Sequence, residues 1–297
     1  MISIYEYLLS KSNHSKIIQA NDDNINDIIK RELEDKGMDA DLNHIDVYDV
    51  TNMDQLFAPY DDFQGDVSKW NVSNVKNMHA MFIGCSNFNC DLSGWEVDAC
   101  EDFSMMFQGC ESFNSDLSKW NVSNAKHINN MFRDCENFSS NLSKWKFPLV
   151  EDLSGMFEGC HNFKSNLSKW DVSNVKNMED LFRGCYVFSS DLSKWDVSSV
   201  KDMDGMFAYC EEFKSDLSNW DVSSVKNMQS MFFQCEQFNS DLSNWNVYNC
   251  ENITEMLYFA KKFDADLSKW KFKKMLLKNR KNPFFMTKMD KEKYPVF

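Results

Sequence analysis

The stretch Asp191-Leu-Ser-Lys-Trp-Asp-Val-Ser-Ser-Val-Lys-Asp-Met-Asp-Gly-Met-Phe-Ala-Tyr-Cys210 decides the fold, because near copies of it recur along most of the chain. Every tryptophan occupies one register of a 25-residue period: Trp70, Trp95, Trp120, Trp145, Trp170, Trp195, Trp220, Trp245 and Trp270. Phenylalanine and cysteine columns keep the same period: Phe63, Phe88, Phe113, Phe138, Phe163, Phe188, Phe213, Phe238 and Phe263, and Cys85, Cys110, Cys135, Cys160, Cys185, Cys210 and Cys235. Self-similarity at a fixed period of this length is the signature of a repeat architecture.

Each unit combines two apolar spacings. Trp195 and Val197 lie two residues apart, which is the spacing of a strand with alternate side chains pointing inward. Met203, Met206 and Cys210 then follow at the spacing of one face of a short helix. A single unit has no core of its own, so the units must stack in register to bury these side chains. The pattern predicts an α/β repeat solenoid, leucine-rich-repeat-like, with stacked parallel strands on one side and short helical turns on the other.

The period divides the chain into three predicted parts. Residues 1–38 precede the repeats and are expected to form a helical N-terminal cap. Residues 39–275 hold about ten 25-residue repeats and are predicted to form the solenoid. Residues 276–297 follow the last repeat and are expected to be a basic C-terminal cap or tail. Caps are needed because the end units of a solenoid would otherwise expose their apolar faces to water.

Local signals define the elements of the two ends. We expect Asn21 or Asp22 to cap the start of the N-terminal helix and Gly37 to end it. The apolar face of that helix is predicted to consist of Ile25, Ile28, Ile29 and Leu33. At the other end, the apolar residues within 272–277 favour a closing strand.

Charge and composition restrict the function. The chain has 297 residues and a formal net charge of −14, whereas residues 271–297 alone carry nine basic and two acidic side chains. An acidic body argues against nucleic acid as the partner, because binding phosphates requires a basic surface. The first residues do not read as a signal peptide and no segment is apolar enough to span a membrane, so a cytoplasmic location is expected, with reduced thiols.

The repeat phrase carries a family resemblance. Asp-Leu-Ser-x-Trp-x-Val and Met-Phe-x-x-Cys recur together in this order over about residues 39–275, as in residues 113–135. This phrase resembles the 25-residue repeat of the BspA-like leucine-rich-repeat surface proteins, including the Mycoplasma-lipoprotein type. The resemblance implies a leucine-rich-repeat-like solenoid acting in adhesion or host interaction. It also implies an alternative location, at the cell surface or on a virion, although the chain lacks an evident export signal or lipid-anchor cysteine near its start.

The residues on either side of each tryptophan form the predicted binding site. If the tryptophan points inward, its neighbours point outward and make a wide, polar and repetitive surface, which is how solenoids usually bind. We call this surface the Trp-flanking face, and its predicted binding residues are Lys119, Asn121, Lys144, Lys146, Lys169, Asp171, Lys194, Asp196 and Asp221. A protein or a glycan is the expected partner, and the oligomeric state is left open. The alternative is a solvated face whose lysine and aspartate columns form ion pairs between units.

Other columns invite metal and disulfide hypotheses. A column of acidic and amide residues could bind calcium: Asp41, Asp66, Asp91, Asp116, Asn141, Asn166, Asp191, Asp216, Asp241 and Asp266. Calcium needs six to eight converging oxygens, so we favour capping of each turn by these side chains and expect no metal or cofactor. The cysteine column could cross-link neighbouring units, but its apolar spacing favours buried, reduced thiols.

Catalysis finds little support in the sequence. The five histidines fall in five different registers and are expected to be incidental surface residues: His14, His44, His79, His127 and His161. No nucleophile, phosphate-binding or metalloprotease motif stands out from the periodic background. We therefore predict a non-enzymatic binding scaffold, with an exported surface or virion protein as the first alternative. An enzyme with its site in the non-repeat termini is the alternative from another class.

Overall fold

The computed structural model describes residues 17–273 and 282–295. Its regular elements are strand β1 (Ile18–Asn21), helix α1 (Ile25–Lys36), strand β2 (Ile45–Asp49) and a 3₁₀ helix (Lys291–Lys293). Strands β1 and β2 pair in parallel. The remaining described residues form turns, bends and single-residue bridges. His14 lies outside the described residues, as does most of the closing strand that we predicted within 272–277.

Helix α1 confirms its predicted apolar face. The four buried residues of that face are Ile25, Ile28, Ile29 and Leu33. The helix ends where predicted, because Gly37 has a φ of 89° and its N–H donates to the Leu33 carbonyl. The predicted start is wrong. Asn21 still belongs to β1, and Asp22 accepts bonds from the backbone N–H and hydroxyl of Thr51. The N-cap position is held by Asn24, and the helix begins at Ile25.

Backbone hydrogen bonds join each repeat unit to the next. In one unit, four N–H groups donate to carbonyls 24 residues further on, at 2.7–2.9 Å. They belong to Met78, Ala80, Phe82 and Gly84. Between them, the N–H groups of Met81 and Ile83 donate three residues back along the chain. Successive peptide groups thus alternate between linking two units and closing a turn within one. The arrangement satisfies the backbone of a segment that has no long strand or helix.

In the tryptophan-containing units, the predicted helical turn and strand are not formed in the described residues. In the first repeat, by contrast, β2 (Ile45–Asp49) lies at the predicted strand register. Ala80 and Gly84 have positive φ angles of 49° and 76°, and the same two registers are left-handed in most other units. Two left-handed residues four positions apart cannot belong to a right-handed helix, so consecutive turns form in its place. Near the tryptophan, the N–H of Trp195 donates to the carbonyl of Leu192, which turns the chain where we expected extension. Parallel bridges occur instead at another register, as between Asn177 and Asp202.

Aromatic side chains fill the interior of the repeats. Trp170 is 4% exposed, and its indole N–H donates to the Leu142 carbonyl of the preceding unit at 2.9 Å. All nine tryptophans make the equivalent bond to a carbonyl 28 residues earlier. The rings of Trp170 and Trp195 are parallel, with centroids 6.5 Å apart. Phe182 and Phe207 stack in the same way at 5.8 Å, so each unit covers the aromatic rings of its neighbour.

The described C-terminal residues pack on the last unit of the array. The N–H groups of Leu257 and Phe259 donate to the carbonyls of Pro283 and Phe285 at 2.9 and 2.8 Å. The offset is 26 residues, two more than between the repeats, so this segment stands two positions out of the 25-residue register. Phe284 is buried, and residues 282–295 therefore cover part of the final unit.

Replacing Trp170 by alanine is expected to lower the free energy of unfolding by about 3–5 kcal/mol, since the change leaves a cavity and removes a hydrogen bond between units. Lys169→Ala, at the exposed neighbouring position, serves as the control and should change stability by less than about 0.5 kcal/mol. Urea unfolding followed by far-ultraviolet circular dichroism measures both. Equal midpoints for the two variants would contradict a buried indole column.

Two glycines offer a test of the turn geometry. Gly205 has a φ of 60°, and an added Cβ would overlap the Asp180 carboxylate of the preceding unit. We expect Gly205→Ala to destabilise the protein by about 1–3 kcal/mol. Gly94 lies outside the left-handed region with open space around it, so Gly94→Ala should be neutral or stabilise by up to about 1 kcal/mol. Thermal melts compare the two, and a similar melting temperature for both would refute the left-handed turn.

Candidate binding face

All nine residues predicted for the Trp-flanking face are exposed: Lys119, Asn121, Lys144, Lys146, Lys169, Asp171, Lys194, Asp196 and Asp221. Their exposure follows from the position of the tryptophan between them. Trp170 and Val172 are buried, so the alternation around them directs Lys169 and Asp171 toward solvent. The surface is consequently a regular array of charged and amide groups on a frame held by inter-unit bonds.

The acidic and amide members of this face also hold turns. Asp171 accepts hydrogen bonds from the N–H and the hydroxyl of Ser173, at 3.1 and 2.7 Å. These bonds stabilise the carboxylate and lower the pKa of Asp171. Asn121 and Asp221 accept the same N–H bond from the serine two residues further on. These side chains are thus fixed in place by their own backbone, which the sequence analysis did not anticipate.

The lysine members have no ion-pair partner in the part of the chain that the structure describes. The ion pairs expected between adjacent columns of this face are not formed there either. Pairs between units lie instead at another register, where Lys126 binds Glu101 and Lys176 binds Glu151. The positive charge of the Trp-flanking face is therefore left available to a partner.

The acidic column proposed as a calcium alternative caps turns. Each of its ten members accepts an N–H from the residue two positions on, at 2.9–3.1 Å. Burial would raise the pKa of Asp66, but hydrogen bonds from Ser68, Asn43 and Cys90 outweigh it and lower the pKa to about 2. Within the described residues, no group of three or more histidine, cysteine or carboxylate side chains is arranged to hold a metal ion.

The cysteine column lies in the interior as reduced thiols. All ten cysteines are unpaired, and Cys135 donates from its sulfur to the Phe107 carbonyl of the preceding unit at 2.9 Å. Burial raises the pKa of Cys135 well above its ordinary value, so the thiol is held in its donating form. The spacing identified the column as buried, but it did not reveal these hydrogen bonds.

Cys90 stands outside this column, in a register where later units carry serine, and burial raises its pKa to about 12.

His44 is not the incidental surface residue that we expected. Its side chain is only 11% exposed, and its Nε2 lies 2.8 Å from Oε2 of the buried Glu32 on α1. The same oxygen accepts a bond from Lys36 at 2.6 Å. Burial alone would raise the pKa of Glu32, but the bonds from Lys36 and His44 lower it overall. These contacts fasten α1 to the first repeat.

A carboxylate cluster on two neighbouring units escaped the sequence analysis. Burial raises the pKa of Asp204, and the carboxylates of Asp180 and Asp202 raise it further, to about 6, although Asn227 and Gln229 donate hydrogen bonds to it. Burial also raises the pKa of Asp180, although Arg183 opposes it, and Asp202 adds to the rise. The sequence did contain a signal for this cluster, because residues about 25 positions apart become neighbours once the units pack.

The hydrogen bonds and ring contacts that recur between units define a repeat protein. Its family follows from comparison with known protein families. A family model described as "Mycoplasma protein of unknown function, DUF285" matches residues 28–145, 126–220 and 189–294. These overlapping matches cover most of the chain, which therefore belongs to this family. A comparison with curated proteins found no match. Among the described residues, no helix has the length and apolar character needed to cross a membrane.

The carboxylate cluster predicts an unusual pH dependence. The folded-state pKa of Asp204, about 6, lies above its ordinary value of 3.8, so ionisation disfavours the fold and this contribution improves as pH falls through about 6. We expect Asp204→Asn to raise the melting temperature at pH 7.5 and to reduce the rise that the unaltered protein gains at pH 5. Asp216→Asn is the control, because the pKa of Asp216 is lowered by its turn bonds to Ser218. A larger gain at pH 7.5 for the control would refute the repulsion.

Proposed function

We propose that this chain is a leucine-rich-repeat-like solenoid of the BspA-like type and acts as a non-enzymatic binding scaffold or adhesion module. Its Trp-flanking face is the surface that contacts a protein or glycan partner. The repeat phrase and the family match over most of the chain support the architecture. The family description assigns no activity, so the function rests on the face itself.

The regular exposure of the face carries this proposal. Its charged and amide groups recur on successive units, and each is flanked by a buried tryptophan. Asp171 and Asp221 are held by turn bonds before any partner arrives, so little side-chain freedom is lost on binding at these positions. Lysines without an ion-pair partner in the described part of the chain stand beside them. Such a surface suits recognition of an extended partner by many weak contacts, which is the usual mode of repeat proteins.

The experiment compares three purified proteins as bait in cell extracts: the intact chain, a face variant and a control. The face variant replaces Lys119, Lys144, Lys146, Lys169 and Lys194 by serine, and Asp171, Asp196 and Asp221 by asparagine. Asparagine is chosen because Asn121 shows that an amide accepts the same turn bond. The control replaces three other exposed lysines by serine: Lys164, Lys201 and Lys214.

Quantitative mass spectrometry of the captured proteins and glycans reads out the comparison. We expect the intact chain and the control to retain a common partner that the face variant loses by about tenfold or more. Circular dichroism melts verify that the variants are folded. The same partners captured by all three proteins would contradict binding through this face.

A further inference from the structure

The turn column changes its charge in two units while it keeps its geometry. Asn141 and Asn166 accept the N–H of the serine two residues on at 3.1 and 3.0 Å, where Asp116 and Asp191 make the same bond at 2.9 Å. The other eight members of the column are aspartates. An amide caps the turn as a carboxylate does but carries no charge. Compared with the other units, each of these two neighbouring units thus has one negative charge fewer in this column and keeps the turn bond.

The same units carry the densest positive charge of the Trp-flanking face. Lys119, Lys144, Lys146 and Lys169 are exposed on three consecutive units, and we call them the cationic patch. Lys146 is distinctive, because the corresponding position of the next unit holds Asp171. None of the four forms an ion pair within residues 17–273 and 282–295.

Two glutamates near the cationic patch are already paired with other lysines. Glu151 pairs with Lys176 at 2.7 Å, and Glu101 pairs with Lys126. Asp116 and Asp171 keep their negative charge beside the patch, since turn bonds lower the pKa of both. More distant acids of this acidic chain are screened beyond about 8 Å at physiological ionic strength, so the four lysines, against these two carboxylates, leave the patch locally positive. An anionic group approaching this face is therefore attracted here.

An exposed apolar corner adjoins the cationic patch. Residues 147–150 form a turn in which the N–H of Val150 donates to the Phe147 carbonyl at 3.1 Å. Phe147 is buried edge-on against Trp170, with ring centroids 4.8 Å apart. Its burial leaves Pro148 and Leu149 exposed at the tip of the turn, and Leu149 is 51% exposed. The next three units carry serine at the position of Pro148, so this corner is a local feature.

We propose that the cationic patch and Leu149 together bind an extended acidic peptide segment that carries an apolar side chain. This inference rests on the proposed function, because it names the partner of the Trp-flanking face. Glutamate or aspartate carboxylates of the segment pair with the lysines, and its apolar side chain covers Leu149. Charge complementarity of this kind supplies specificity and a fast association rate.

The surroundings favour a short acidic segment over a long polyanion. The face becomes acidic on both sides of the patch, with Asp91 and Glu96 on one side and Asp216 and Asp221 on the other. A nucleic acid or a sulfated glycan carries charge along its whole length and would be repelled beyond these limits. Neither offers an apolar side chain for Leu149. A peptide with a few acidic residues and one leucine matches both the extent and the chemistry of the site.

The test uses a fluorescein-labelled serine-rich dodecapeptide with four glutamates around one central leucine, and fluorescence anisotropy with the full-length protein. The probing variant is Asn141→Asp combined with Asn166→Asp, which adds two negative charges while an acidic side chain still caps each turn. The control is Asn219→Asp combined with Asn244→Asp, which adds the same charge to two exposed positions outside the patch. Circular dichroism melts confirm that both proteins remain folded.

We expect the peptide to bind the unaltered protein and the control, and the probing variant to bind about fivefold more weakly or worse. The affinity should fall with added salt, and Leu149→Ser should weaken it by about threefold. A second peptide, with serine in place of its leucine, should bind the unaltered protein and the Leu149→Ser variant with equal affinity, because it has no apolar side chain to cover Leu149.

Absent binding, or equal affinities of the probing variant and the control, would overturn the inference. Heparin or single-stranded DNA that binds tighter than the peptide would also overturn it, in favour of a general polyanion site. If any of these peptide-binding results were found while the face variant still lost its captured partner, only the acidic-peptide assignment would fail. If the face variant captured the same partners as the intact chain, the proposed function itself would fail.

Discussion

The bond from each indole N–H to a carbonyl of the preceding unit is the constraint on which the rest of the structure depends. The Trp170 indole N–H lies in the interior, where a donor without a partner costs about 1–3 kcal/mol. It donates to the Leu142 carbonyl of the preceding unit, which also accepts the N–H of Trp145 within its own turn. Because the indole of every tryptophan-containing unit finds its acceptor on the unit before it, no such unit can complete its own hydrogen bonds alone. The aromatic columns and the alternating backbone bonds then follow from the same register.

Small polar side chains provide the second level of order. The asparagine or aspartate that begins each Trp-containing turn caps it, and either residue serves equally well, as Asn141 and Asp116 illustrate. These positions can therefore hold either a charged or a neutral side chain while the turn bond is kept. This freedom is what allows one acidic framework to present a locally cationic surface around Lys144 and Lys146. Elsewhere the same framework crowds carboxylates, as at Asp204, with a cost to stability at neutral pH.

The erroneous expectations have a common physical cause. Spacings of three and four residues also arise from tandem turns, so the apolar pattern around Met203 resembled a helix. The left-handed residues that interrupt it include Ala80 and Met105, which have no intrinsic preference for positive φ. Packing against the neighbouring units imposes that conformation, and no local signal could have revealed it. His44 was misjudged for a similar reason, since its partner Glu32 lies on a separate element.

The sequence by itself determined the period, the buried columns, the apolar face and end of α1, and the outward placement of residues beside each tryptophan. These follow from side-chain hydrophobicity repeated at a constant interval, which is readable along one chain. Only the tertiary structure decided the direction of each peptide group, the carbonyls that accept bonds from the buried thiols and indoles, and which charges remain unpaired at the described surface. Those properties depend on atoms some 25 residues apart in the chain, and their distances are set by how the units pack.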